Sequence, residues 1–244
     1  MIPVLPVFNK NYFIEGKIRL PSHKKEGKIA GNQIFHYFSE NLCTSKHPST
    51  HEYIKKHLNK ALVFENDASI LLHGIQQSVK NNLILEFGVC SGKTINFIAG
   101  NNPMNQVYGF DSFEGITEHW QDCVPQKSFE LLDKTIYPPL LTNILLIKGL
   151  FEDTLPVFSN KIENSFVSFV HIDCCVYNST KTIFIHLEQN IQKGTIILFD
   201  EYFNYNGWEN HEHKAFLEFI EKTKLNYKYI AYNRLHQQVL IQII

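Results

Sequence analysis

Leu85-Glu86-Phe87-Gly88-Val89-Cys90-Ser91-Gly92-Lys93-Thr94, residues 85–94, is the stretch from which the fold can be read. An apolar run, Leu83–Phe87, enters Gly-x-x-x-Gly, and a helical pattern follows. A strand that turns through glycines into a helix lets a ligand approach the backbone closely. Glycine has no Cβ in the way, and the helix N-terminus offers N–H groups without partners. The last three residues imitate the end of a phosphate-binding P-loop. That motif needs a glycine five positions before its second glycine. Phe87 occupies that position and Gly88 comes one residue late, so the P-loop reading fails.

Outward from this turn, short apolar runs alternate with helical patterns. Leu83–Phe87, Gln106–Phe110, Asn143–Lys148, Ser165–Ile172 and Thr195–Phe199 are apolar on both faces. Parallel strands covered by helices on each side have that character. Tyr227–Tyr232 and Gln238–Ile244, separated by polar Asn233–Gln237, predict a hairpin. Helices are expected over Thr180–Gln192, capped by Ser179, and over Trp208–Lys222. Asp67 is expected to cap another, carrying Ile70, Leu71, Ile75 and Val79. Five β/α units and a final hairpin make an α/β protein. The expected fold is a doubly wound, Rossmann-like, seven-stranded sheet with a C-terminal antiparallel β-hairpin. Residues 1–81 are polar and rich in Lys, His and Asn. They read as an N-terminal extension, mostly helical or irregular, serving as substrate lid or oligomer contact. Residues 82–244 read as the ligand-binding domain.

Composition supports one such domain with a decorated end. Of 244 residues, 44% are hydrophobic and 19% charged, for a net charge of −1. This excludes disorder as the main character, and it leaves no bulk electrostatic case for nucleic acid or an anionic membrane. No run approaches the roughly 20 apolar residues of a membrane span. Met1–Phe8 is apolar, but two prolines interrupt it and no basic lead or cleavage site accompanies it, so a signal peptide is not expected. Five cysteines without a C-x-x-C pair are too few for a disulfide scaffold and odd in number. Cys174 and Cys175, read as strand neighbours, would point to opposite faces and not share a zinc. A reducing, cytoplasmic setting is expected.

What the loop binds depends on the second strand. Glu86-x-Gly88-x-x-x-Gly92 suits the amino-acid end of S-adenosylmethionine (SAM), though a plain glycine turn is the alternative. The next strand ends in Tyr108-Gly109-Phe110-Asp111, and an acid at that tip is placed to accept hydrogen bonds from ribose hydroxyls. NAD would satisfy that acid too. It prefers Gly-x-Gly-x-x-Gly, however, and its diphosphate gains nothing from Glu86.

Two further strand tips carry acids: Asp173 after Val170-His171-Ile172, and Asp200-Glu201 after Phe199. In a doubly wound sheet these strands are neighbours, and ligands bind outside their carboxyl ends. Three unpartnered carboxylates would repel one another, and an oxygen-seeking dication such as Mg2+ resolves that. The alternative is that Glu201 turns away toward a helix or lysine while Asp173 accepts from backbone amides. His171 shares the face of Asp173 and is a candidate base, with a structural core histidine as the competing role. His211 and His213 stand about 200° apart on a helix and cannot pair on one metal.

Five segments, Ile84–Gly92, Val107–Gly115, Lys148–Pro156, His171–Thr180 and Phe199–Phe216, in this order resemble the class I SAM-dependent methyltransferases related to macrocin O-methyltransferase. The resemblance implies the methyltransferase sheet, Glu86, Gly88 and Gly92 at the methionine end, Asp111 at the ribose and Glu152 at the adenine. It also implies Mg2+ on Asp173, Asp200 and Glu201 and a small-molecule or sugar hydroxyl as acceptor; His171 and Asp173 are the residues expected in catalysis, with His211 or His213 as alternative bases. One position departs. The family's His-Ile-Asp-x-Asp-x-Tyr reads His171-Ile172-Asp173-Cys174-Cys175-Val176-Tyr177, with Cys175 in place of the second acid.

O-methyl transfer is therefore the expected activity. A catalytically impaired SAM-binding scaffold is the alternative because of Cys175, and an NAD-linked oxidoreductase is a third reading. Acceptor contacts are expected from residues 1–81 and from the insert Ile116–Thr142, with Trp120, Trp208 and Tyr202 as pocket candidates. A homo-oligomer formed through residues 1–60 is a further expectation.

Overall fold

The computed structural model describes residues 48–121, 124, 126–130 and 137–244, with the backbone of a short ladder pairing Phe13–Ile14 with Lys17–Ile18. Met1–Phe8, most of the span expected to mediate self-association, and parts of the insert lie outside the described residues.

Eight strands form one sheet: β1 (Leu62–Phe64), β2 (Leu83–Phe87), β3 (Val107–Asp111), β4 (Ile144–Lys148), β5 (Val167–Ile172), β6 (Ile196–Phe199), β7 (Tyr227–Asn233) and β8 (Val239–Ile243). Their spatial order is β1-β7-β8-β6-β5-β2-β3-β4. Only β8 runs antiparallel to its neighbours, with Val239 opposite both Phe199 and Tyr232. The doubly wound sheet and terminal hairpin are as expected, but there are eight strands rather than seven. The additional one, β1, comes from the polar span and pairs in parallel with β7, Leu62 beside Ala231. It is only three residues long, with Leu62 and Val63 exposed, so no apolar run announces it.

Helices cover both faces. On one face α2 (Asp67–Gln77) and α3 (Lys93–Gly100) bury Ile70, Ile75, Ile95 and Ile98 against Ile84, Phe169, Leu198 and Leu240. On the other, α4 (Phe151–Lys161), α5 (Tyr177–His186) and α6 (Glu212–Thr223) bury Leu155, Phe158, Ile183, Phe184 and Phe216 against Leu85, Val170, Ile197 and Val239. Each large side chain buried in this way contributes about 1.5–3 kcal/mol. An earlier helix, α1 (Pro48–His57), is fastened over the segment after β6. Trp208 Nε1 donates to Ser49 Oγ at 2.8 Å, and Asn204 N donates to Thr50 Oγ1 at 3.1 Å.

Several local expectations shift. Asn66, not Asp67, caps α2, its side chain accepting from Ser69 N at 2.9 Å, and Asp67 becomes the first helical residue. Val79 lies beyond that helix and is exposed. The helix expected at Thr180–Gln192 runs over Tyr177–His186, because Val176 in extended conformation already ends the preceding loop. The one expected at Trp208–Lys222 is a 3-10 turn, Trp208–Asn210, then α6, interrupted at His211 with φ −110° and ψ −122°. Cys174 and Cys175 follow β5 rather than lying on a strand, and Cys175 sits in the left-handed region at φ +67°. No described helix is long and apolar enough to cross a membrane.

Candidate active site

The carboxyl ends of β2 to β6 and the turn before β8 surround a cavity of about 410 Å³. That volume lies in the range of small-molecule sites. The glycine loop forms one wall. Gly88 has φ +95°, and a Cβ there would stand 1.8 Å from the Asp173 carbonyl oxygen, so only glycine lets the tips of β2 and β5 meet. Asp111 fixes the loop: its Oδ2 accepts from Val89 N (2.8 Å) and Cys90 N (2.7 Å), and its Oδ1 from Phe113 N (2.6 Å). Burial nevertheless raises the Asp111 pKa despite these donors.

Gly88, Asp111, Glu152, Asp173, Asp200 and Glu201 all line the cavity, as the sequence expects. Glu86, Gly92 and His171 do not. Gly92 instead packs beside Leu140 and Pro138, its φ of +75° starting α3. Glu86 is wholly buried under the loop, accepting a hydrogen bond from Thr94 Oγ1. His171, 1% exposed, lies behind Asp200 and Asp173 and does not itself line the cavity.

These buried groups form a row. Glu86 is in register with His171, and His171 with Leu198, so Asp200 follows two residues later on the same face. His171 Nε2 is 3.4 Å from Asp200 Oδ1, and Nδ1 is 3.5 Å from Glu86 Oε1, the latter an ion-pair contact without hydrogen-bond geometry. Burial works against charge on His171, but the two carboxylates outweigh it and hold its pKa well above the usual imidazole range. Burial would likewise raise Asp200, yet His171 and Gln238 keep it below the ordinary carboxylate range.

Asp173, Asp200 and Glu201 bring ligand oxygens within 4.8 Å of one another. Burial, and then the charge of its neighbours, pushes both Asp173 and Glu201 well up. Glu201 Oε2 is buried without a hydrogen-bond partner. A buried carboxylate oxygen in that state is a cost that a cation would remove.

Four contributors escaped the sequence reading. Asp67, at the start of α2, and His236, in the β7–β8 turn, line the cavity with Asp67 Oδ1 3.8 Å from His236 Nε2. Gln238 Nε2 donates to Asp200 Oδ1 at 2.6 Å. Glu212, at the start of α6, accepts from Glu201 N at 3.1 Å through Oε2, while its Oε1 is buried without a hydrogen-bond partner. Burial and then Asp200 push Glu212 up to about 8. The available signal was a buried polar residue at a strand or helix end, but only folding shows where those ends meet. Trp120 reaches the cavity wall, whereas Trp208 and Tyr202 do not. Tyr202 joins its hydroxyl to Tyr229 at 2.7 Å, and His213 Nε2 lies 3.2 Å from Tyr53 Oη, in a cluster away from the cavity. His211 does not line the cavity either.

Comparison with known proteins agrees with this architecture. A family profile described as a methyltransferase domain matches residues 85–202. No curated protein matches the sequence. Among solved structures, the calicheamicin methyltransferase CalS11 is similar at 16% identity and TM-score 0.56, covering 89% of this chain and 94% of that one. The O-methyltransferase NovP is similar at 18% identity and TM-score 0.51, covering 72% and 78%. By this partial profile match and by its fold, the chain is similar to class I methyltransferases, the class whose methyl donor is SAM.

Proposed function

We propose that this chain transfers the methyl group of SAM to a hydroxyl of a small molecule or sugar, with Mg2+ held by Asp173, Asp200 and Glu201. The convergence of those three acids on the cavity that the glycine loop borders carries the reading. The buried, unpartnered Glu201 Oε2 supports it, as does the upward displacement of the Asp173 and Glu201 pKa values. Oxygen-only donors suit a hard dication. The likeness to NovP, an O-methyltransferase, and to CalS11, a TDP-rhamnose 3'-O-methyltransferase, favours a hydroxyl acceptor.

A bound dication would lower the pKa of an acceptor hydroxyl. The chain's own residues do the rest. Gly88 leaves bare backbone where the cofactor would lie, and Asp111, which holds that loop, is the acid that would face the ribose. Glu152, in the first turn of α4, is assigned to the adenine. His171 and Gln238 keep Asp200 ionised and aimed. Glu86 anchors Thr94 at the base of α3. Holding acceptor oxygen, methyl carbon and sulfur in line is the main source of rate in such a displacement. Asp67 on the wall supports a contribution of residues 1–81 to acceptor binding. Unbridged Cys90, Cys174 and Cys175 suit a reducing, cytoplasmic setting.

A second reading, a SAM-binding scaffold without turnover, rests on Cys175, which brings a buried thiol to the cavity where related enzymes carry an acid. Calorimetric titration with S-adenosylhomocysteine, followed by transfer of labelled methyl from SAM to catechol, methyl α-L-rhamnopyranoside and TDP-L-rhamnose, with MgCl2 or EDTA, separates the two. Mg2+-dependent transfer supports the enzyme. Binding without transfer supports the scaffold, and absence of S-adenosylhomocysteine binding rejects both.

A further inference from the structure

We propose that His236, backed by Asp67, is the general base that takes the proton from the acceptor hydroxyl, an inference that rests on the transferase reading above. A hydroxyl that gains a methyl group must lose its proton, and the group receiving it must face the reacting atoms. His171 is sealed beneath the cavity between Glu86 and Asp200. His211 and His213 do not line it. Among the described residues, His236 is the imidazole on the cavity wall.

Other groups on that wall are committed. Asp111 spends both oxygens on three backbone amides. Asp173, Asp200 and Glu201 form the cation set. Cys175 stands where a second acid would have been, and burial pushes its thiol well up. Glu152 lies in the first turn of α4, beyond β4, whereas Asp200, the acid aimed by Gln238, borders the β7–β8 turn.

The turn that carries His236 is built to be rigid. Tyr202 N donates to Gln237 O (3.0 Å), Asn204 Nδ2 to His236 O (3.2 Å), and Leu235 N to Asn233 Oδ1 (3.1 Å). Arg234 N donates to Phe64 O at 2.9 Å, tying the turn to β1. Asn233 Nδ2 reaches both Gln238 Oε1 (2.9 Å) and Asp67 Oδ1 (3.4 Å). The same network thus positions the imidazole, its carboxylate partner and, through Gln238, the acid Asp200. With 30% and 29% of their side chains exposed, His236 and Asp67 reach both cavity and solvent.

The step balances without another reactant. As the acceptor oxygen bonds to the methyl carbon, the carbon–sulfur bond of the sulfonium breaks and its electron pair stays on sulfur as the thioether. The hydroxyl proton passes to a ring nitrogen of His236 and then to solvent. Asp67 stabilises the imidazolium in between. The other charged groups around this pair are Lys93 on α3, Asp200 at the tip of β6, His171 buried behind it, and Arg234 with Glu65 at the base of the turn.

The test uses the full chain, SAM, MgCl2 and whichever of catechol, methyl α-L-rhamnopyranoside or TDP-L-rhamnose the wild type methylates. H236Q should lower kcat about 100-fold or more, the range expected for a lost general base. KM for the acceptor and Kd for S-adenosylhomocysteine should stay within about threefold. The H236Q rate should climb about tenfold per pH unit between 7 and 9, as hydroxide replaces the base, while the wild-type rate levels off. Added imidazole should restore part of it. D67N should lower kcat about tenfold. An H236Q kcat within threefold of wild type overturns the proposal, as does a loss confined to KM or to S-adenosylhomocysteine binding. A wild type that binds S-adenosylhomocysteine yet methylates none of the three acceptors removes the transferase reading and this inference with it.

Discussion

Gln238 donates from Nε2 to Asp200 Oδ1 at 2.6 Å, so the residue that leads into the one antiparallel strand of the sheet aims an acid at the tip of a parallel one. Hydrogen bonds to a charged group contribute about 1.5–3 kcal/mol. Q238A should lose stability in that range. It should also weaken Mg2+ binding about 10- to 100-fold, as happens when the partner of a metal ligand is removed. Thermal unfolding with and without MgCl2 reads both effects. An unchanged magnesium-induced rise in Tm would separate Gln238 from the cation.

The two loop glycines should respond differently. A Cβ at Gly88 meets backbone, the Asp173 carbonyl oxygen at 1.8 Å, and cannot be accommodated by a side-chain adjustment. G88A should abolish S-adenosylhomocysteine binding and cost more than about 2 kcal/mol. A Cβ at Gly92 meets Leu140 Cδ2 at 3.0 Å, a movable side chain, and Gly92 is off the cavity wall. G92A should cost about 1 kcal/mol through its positive φ while changing S-adenosylhomocysteine affinity less than tenfold. Equal losses of affinity would contradict this division.

What the sequence made legible was whatever a single strand and its exit carry together. Gly88, Asp111, Asp173, Asp200 and Glu201 each end a strand, and a parallel sheet gathers strand ends at one edge. His171 was recognised as chemically loaded but misplaced in depth. Its neighbours across the sheet, Glu86 and the tip of β6, depend on register rather than on local pattern. Asp67, His236, Gln238 and Glu212 were missed because each reaches the site from another helix or from the hairpin. No spacing within those segments encodes the insertion of β8 between β6 and β7. Strand β1 was missed because three half-exposed residues carry no periodicity.

The buried acids set the pH dependence of stability. Burial, with Asp200 nearby, pushes folded Glu212 from 4.5 to about 8. Between those values the native state holds a proton that the unfolded chain has released, so stability falls as pH rises. Asp173 and Glu201 are raised in the same sense. The raised His171 adds to the trend: its ion pairs contribute fully below the unfolded value of about 6.5 and fade as pH climbs through the folded one. Asp200, held low, opposes this only in the acid range below its ordinary value. Metal-free protein should therefore show a Tm that drops between pH 5.5 and 8.5, and E212Q should flatten the drop. A Tm that rises over this range would refute the assignment.

Cys175 offers the sharpest separation between a cation site and a merely acidic pocket. It sits at φ +67°, a conformation that Asp tolerates better than most residues, so Cys175→Asp should not strain the backbone. Glu201, Asp173 and Glu212 already crowd the position with carboxyl groups that resist ionisation together. A fourth carboxylate there should destabilise metal-free protein by about 1–3 kcal/mol, the usual cost of a buried group left without compensation. Millimolar MgCl2 should then raise the Tm of C175D more than that of the wild type, because the added acid faces the same charge. Cys175→Ser, which adds no charge, should show the wild-type magnesium response. If MgCl2 leaves C175D as unstable as it finds it, no dication binds among these acids, and methyl transfer in this chain must proceed without one.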